Sequence, residues 1–98
     1  MVAYQLRWSP LDMVHWQTRI ENSYKQVLQL YPEGCLNWLR ELQPARVAQL
    51  KATVVEIRRA YAYRDSQGLD AALVCYRDSH LKAFADYLAL PQTDAPIA

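Results

Sequence analysis

The sequence predicts an all-α fold: a small four-helix bundle of three long helices and one short, with a short extended N-terminal arm. Three observations carry this reading. Gly34 and Gly68 are the only glycines in 98 residues, and each follows a long stretch of apolar residues at helical spacing. Glycine most readily takes the left-handed conformation that ends a helix. Pro10, Pro32, Pro44 and Pro91 fall between the same stretches, which leaves short connections and no room for a sheet-rich fold.

Each element has its own justification. Val2, Tyr4, Leu6 and Trp8 alternate with more polar neighbours, the period of a strand. One short strand is not stable alone, so residues 1–8 are read as an arm lying on the helices, ahead of a strand paired between two copies. Helix 1, over 9–31, opens with Ser9 as N-cap, Pro10 in the first turn, Asp12 in the capping-box position and Trp8 with Met13 as a staple. Met13, Trp16, Ile20, Tyr24, Val27 and Tyr31 form its apolar stripe. Pro32-Glu33-Gly34 ends it. Helix 2, over 34–42, carries Cys35, Trp38, Leu39 and Leu42, and Pro44 stops it.

Helix 3, over 44–65, is striped by Val47, Leu50, Val54, Ile57 and Tyr61. Asp65-Ser66-Gln67-Gly68 reads as the turn into helix 4, over 69–90, whose inward set is Leu69, Leu73, Tyr76, Phe84 and Tyr87. A turn this short makes helices 3 and 4 an antiparallel hairpin. In it Ile57 faces Arg77 or Tyr76, and Leu50 faces Phe84. Residues 1–90 form a single helical domain, and 91–98 a flexible tail. Tyr63-Arg64-Asp65-Ser66 recurs as Tyr76-Arg77-Asp78-Ser79, but the echo is too short to be a structural repeat.

Composition narrows the function classes. A net charge of +1, from 11 basic and 10 acidic residues, supplies no field that would gather nucleic acid or an anionic membrane. The longest uncharged apolar run, Ala71 to Tyr76, is too short to span a bilayer, the start lacks the pattern of a signal peptide, and a cytoplasmic location is expected. Cys35 and Cys75 sit among apolar neighbours and read as inert, partly buried thiols, with a disulfide left open. No phosphate-binding glycine loop, nucleophile elbow or metal-ligand set occurs, and Asp12 with His15 gives only two ligands. No cofactor, metal or catalytic residue is expected, and the balance is against an enzyme.

The residues that remain suggest contact with other proteins. Helix 4 carries a second apolar set, Val74, Leu81, Ala85 and Leu88, and helix 3 another, Ala48, Val55 and Ala62. With Arg58 and Arg77 beside them, Val55, Ala62, Val74, Leu81 and Ala85 are the candidate interaction surface. Arg77 must snorkel, pair with an acid such as Glu21 or Glu41, or face a partner. His15 falls on the polar face of helix 1. His80 falls in the core stripe of helix 4 and is expected to hydrogen-bond a tyrosine hydroxyl or a carbonyl, with a ligand-contacting or pH-sensitive role as the sharper option.

The reading is therefore a non-catalytic protein-interaction or regulatory module, self-associating through helices 3 and 4 as a homodimer, with an unidentified protein partner as a further option. One alternative is a nucleic-acid-binding regulator using the basic helix 44–65. Its Arg46, Lys51, Arg58, Arg59 and Arg64 encircle the helix instead of forming a stripe, which disfavours it. The other is a small helical enzyme or ligand-binding bundle with a pocket near Arg77 and His80. The leading strand is similar to the arm of ribbon-helix-helix repressors, but only over residues 2–8; helix 1 is too long for that family, to which the chain is not assigned.

Overall fold

The computed structural model describes residues 8–91, so the arm (save Trp8) and the tail (save Pro91) lie outside the described residues. Four helices follow one another: α1 (Pro10–Leu30), α2 (Cys35–Leu42), α3 (Pro44–Ala62) and α4 (Ser66–Leu88). There is no strand among the described residues. The all-α architecture is as expected.

α1 begins as its sequence signals require. The Ser9 hydroxyl accepts from the Asp12 amide, and the Asp12 carboxylate accepts from the Ser9 amide, which satisfies two otherwise orphaned donors. α3 and α4 form the hairpin, the most extensive helix pair in the molecule. α1 lies along it parallel to α4. Arg19 pairs with Asp70 at 2.8 Å, Tyr24 meets Tyr76 edge-on at 5.2 Å, and Tyr31 meets Phe84 at 4.5 Å. Trp16 and Val27 are the buried residues of α1, whereas α4 buries seven, from Leu69 to Phe84. α4 is the spine of the core.

The two glycines do different jobs. Gly34 has φ 86° and ψ −14°, the left-handed geometry of a turn's third residue, and Cys35 N–H closes that turn on Pro32 O at 3.0 Å. α1 has already ended at Leu30, and Gly34 is the N-cap of α2. Gly68 corrects the sequence reading: it is the third residue of α4, and α3 ends at Ala62. The left-handed residue of this turn is Arg64, φ 56°. Asp65 N–H bonds Ala60 O at 2.9 Å and Arg64 N–H bonds Tyr61 O at 3.1 Å, the paired bonds of a Schellman motif.

Arginine replaces the usual glycine there because its side chain is occupied. Arg64 Nη1 donates to Tyr61 O at 2.6 Å, and its guanidinium lies over the Tyr61 and Trp8 rings. Asp65 then caps α4, its carboxylate accepting from Gly68 N–H at 2.9 Å. A Cβ on Gly68 would run into that carboxylate.

Replacing either glycine with alanine should separate these roles. Gly34→Ala strains a left-handed backbone and drives a Cβ against the Tyr87 hydroxyl, which itself donates to Glu33 O at 2.9 Å. It should cost about 2 kcal/mol in urea denaturation. Gly68→Ala costs only what the displaced Asp65 cap supplied, about 1 kcal/mol. Equal losses would contradict the distinction.

Candidate functional site

His80 is the most constrained of the residues singled out in the sequence. It is buried in α4, and its Nδ1 lies 2.6 Å from the Tyr31 hydroxyl. Burial pushes its pKa below the usual histidine value. In the neutral ring protonated at Nε2, Nδ1 is the acceptor and the Tyr31 O–H the donor. Burial pushes the Tyr31 hydroxyl up to about 12, and Cys35 and Tyr76 add to the rise. Tyr76 and Phe84 flank the same imidazole. A tyrosine hydroxyl was one of the two partners expected for His80; that Tyr31 supplies it depends on α1 lying parallel to α4.

On its open side His80 lines a hollow of about 230 Å³ between α2, α3 and α4, floored by Tyr76 and walled by Leu36, Val47 and Val54, with Arg40 and Lys51 at the rim. Arg77 is elsewhere. It is exposed and lines a separate cleft of about 350 Å³ between α1 and α4, with Val27, Leu30, Leu73 and Val74. Among the described residues, Arg77 and His80 thus line two different hollows. Arg77 makes no ion pair among the described residues, and Asp70, two turns earlier on the same helix, pairs with Arg19. Neither Glu21 nor Glu41 reaches it.

The basic helix is largely occupied from within. Arg46 pairs with Asp86 at 2.7 Å and lies 5.9 Å from the centre of the Trp38 ring, joining α3, α4 and α2. Its Nη1 is buried with no partner among the described residues. Arg59 lies 3.9 Å from Glu56, and Arg64 is held in the turn. Lys51 and Arg58 are exposed on the sides of α3, one on the His80 hollow and the other on the α1–α3 groove. His15 is exposed, as expected, with its ring edge-on to Trp16.

Most of the second apolar sets are exposed, but Leu81 packs against the core. Val74 is 51 % exposed and Leu88 65 %, with Leu30 of α1 54 % exposed beside Val74. Ala85 is exposed and Leu81 half-buried. On α3, Val55 is 52 % exposed, and Ala48 and Ala62 are exposed. The two sets do not form one surface. At about 100° per residue, Val55 lies about 160° round its helix from buried Ile57, and Val74 about 160° from buried Tyr76. Because α3 and α4 turn their buried arcs towards each other, these seams point away from each other.

Both cysteines are free thiols; Cys35 is buried, which raises its pKa, but Cys75 is exposed, contrary to the partly buried reading. It lies to the side of the Tyr76 arc, beside exposed Ala71 and Val74. Among the described residues no group of three or more His, Cys, Asp or Glu is placed to hold a metal ion, and no helix is long and apolar enough to cross a membrane.

The His80–Tyr31 pair gives the stability a pH signature. Unfolded His80 takes up its proton near pH 6.5 and the folded ring resists it, so stability falls as the pH drops below that value. At the alkaline end the folded Tyr31 hydroxyl keeps its proton until about pH 12 while the unfolded one loses it near 10. Stability therefore falls again across that interval. Tyr31→Phe should cost about 1 kcal/mol at pH 7 and flatten part of the alkaline fall. Denaturant unfolding at a series of pH values checks both, and an unchanged alkaline limb would contradict the burial of Tyr31.

No protein-family model matches this chain, and none of the curated proteins or solved structures compared with it is similar.

Proposed function

We propose that this chain is a small non-catalytic interaction module that associates with a second copy of itself through the outer face of α4. One observation carries the reading: Val74, Ala85 and Leu88 stay exposed on the helix that otherwise builds the core, with Leu81 half-buried between them and the core. An apolar strip along a rigid helix, continued by Leu30 of α1, is surface that association removes from water. Arg77 beside it lacks an acid within the described chain, which a second copy can supply.

The α3 seam is a poorer candidate. Val55 is its one large apolar residue, set among alanines and next to Arg58 and Arg59, and it points away from the α4 seam. Nucleic-acid binding is further disfavoured, because Arg46 and Arg64 are held by Asp86 and the Tyr61 carbonyl. A ligand reading centred on Arg77 and His80 is weakened by their lying in separate hollows.

Light scattering across a concentration series should give a mass near twice 11.4 kDa. Val74→Glu should return it to the monomer mass with unchanged helicity by circular dichroism, while Val55→Glu should leave the dimer intact. A wild-type monomer up to millimolar concentration, or dissociation by Val55→Glu alone, would overturn the reading.

A further inference from the structure

We propose that the hollow at His80 binds a small aromatic monocarboxylate, with the carboxylate at the rim between Arg40 and Lys51 and the ring inside. The site goes beyond the self-association proposed above and needs no second copy. It lies between α2, α3 and α4, away from the outer arc of α4, and Arg77 is no part of it.

The floor carries polar groups that the fold leaves unused. His80 and Tyr76 are only 8 % and 6 % exposed, yet each has a hydrogen-bonding atom without a partner among the described residues. Nδ1 of His80 is taken by the Tyr31 hydroxyl, 2.6 Å away. That hydroxyl has no other acceptor among the described residues, so the ring proton is assigned to Nε2. The His80 Nε2–H and the Tyr76 hydroxyl are then both available to a ligand. Neither is sealed from solvent: among the described side chains the one N or O atom both buried and unpartnered is Nη1 of Arg46. Both side chains line the hollow, and polar groups so deeply set are ordinarily hydrogen-bonded.

The walls and the rim define the rest of the ligand. The rings of Tyr31 and Tyr76 and the side chains of Leu36, Val47 and Val54 bound an apolar interior. Leu36 is 39 % exposed there, apolar surface that a flat ring would cover. Arg40 on α2 and Lys51 on α3 stand at the mouth, exposed, and neither forms an ion pair among the described residues. No acidic side chain lines the hollow. Two unpaired cations above an apolar interior favour a carboxylate held at the mouth, where it stays partly hydrated, over one carried to the floor. At about 230 Å³ the hollow is smaller than the roughly 300–1,000 Å³ that drug-sized ligands occupy, which limits the occupant to one ring with a short acidic chain. A hydrogen-bond acceptor on the far side of the ring then meets His80 Nε2–H.

Chemical-shift titration of the isotope-labelled chain with para-hydroxyphenylpropionate tests the site. Saturable shifts are expected at the amides of Leu36, Val47 and Lys51 and at the His80 ring nitrogen, with a Kd of about 1 mM. Phenylpropionate, which lacks the acceptor, should bind about fivefold more weakly. The uncharged para-hydroxyphenylpropionamide should bind about tenfold more weakly. The double variant R40E/K51E should show no saturation, with helicity by circular dichroism unchanged because both side chains are exposed. A wild-type chain without saturable shifts up to about 20 mM probe overturns the proposal. So does equal binding by either analogue or by R40E/K51E, or saturation confined to the α1–α4 cleft. None of these results depends on the mass of the chain in solution, so self-association stands or falls separately.

Discussion

The structure depends on how α1 is held against α4. α1 is 21 residues long but buries Trp16 and Val27 alone among its side chains, so apolar burial along its length is thin for so long a helix. Its hold comes from a column of rings: Tyr24 on Tyr76, and Tyr31 on Phe84 with its hydroxyl on His80. Aromatic pairs of this kind add stabilisation beyond their buried area, and the hydrogen bond fixes where along α4 the end of α1 can sit. With α1 displaced, Leu73, Tyr76 and His80 would face water. With it in place, the opposite arc of α4 is the face that no helix among the described residues covers.

That arrangement sets the energetics of the rest. α2 is a clip across the end of the bundle, tied by Trp38 against Tyr87, by Tyr87 donating to the Glu33 carbonyl, and by the Arg46–Asp86 pair beside Trp38. The other end is closed by the α3–α4 turn, in which Asp65 both completes the end of α3 and caps α4. Two closed ends and a shared column hold α4 along one side. Such a helix presents its outer residues at fixed intervals.

Much of this was legible in the chain. The capping box at Ser9 and Asp12, the short α2 between Gly34 and Pro44, and the core positions of α4 follow from spacing and local chemistry. His80 could be placed in the core, with a tyrosine hydroxyl as one of its partners, from its position in the helical stripe alone. Gly68 misled because a glycine after Tyr63-Arg64-Asp65 looks like a helix end; the left-handed residue was Arg64, stabilised by contacts with rings that no local pattern reveals. The tetrapeptide Tyr-Arg-Asp-Ser makes the same point, forming a turn at Tyr63 and mid-helix at Tyr76. The Arg46–Asp86 pair, the separation of Arg77 from His80 and the divergence of the two apolar seams are tertiary facts. They depend on which way each helix is rotated, and hydrophobic periodicity leaves that choice open when a helix is apolar on two sides.

Coverage of the outer arc of α4 by the same arc of a second copy is the proposal on which the function rests. Isotope-filtered nuclear Overhauser spectra on an equimolar mixture of labelled and unlabelled chains test it most directly, because they report only contacts between copies. Cross-copy signals from the methyl groups of Val74 and Leu88 are the expected result. Signals from Val55 in their place, or none from α4 in a sample shown to be dimeric, would contradict it.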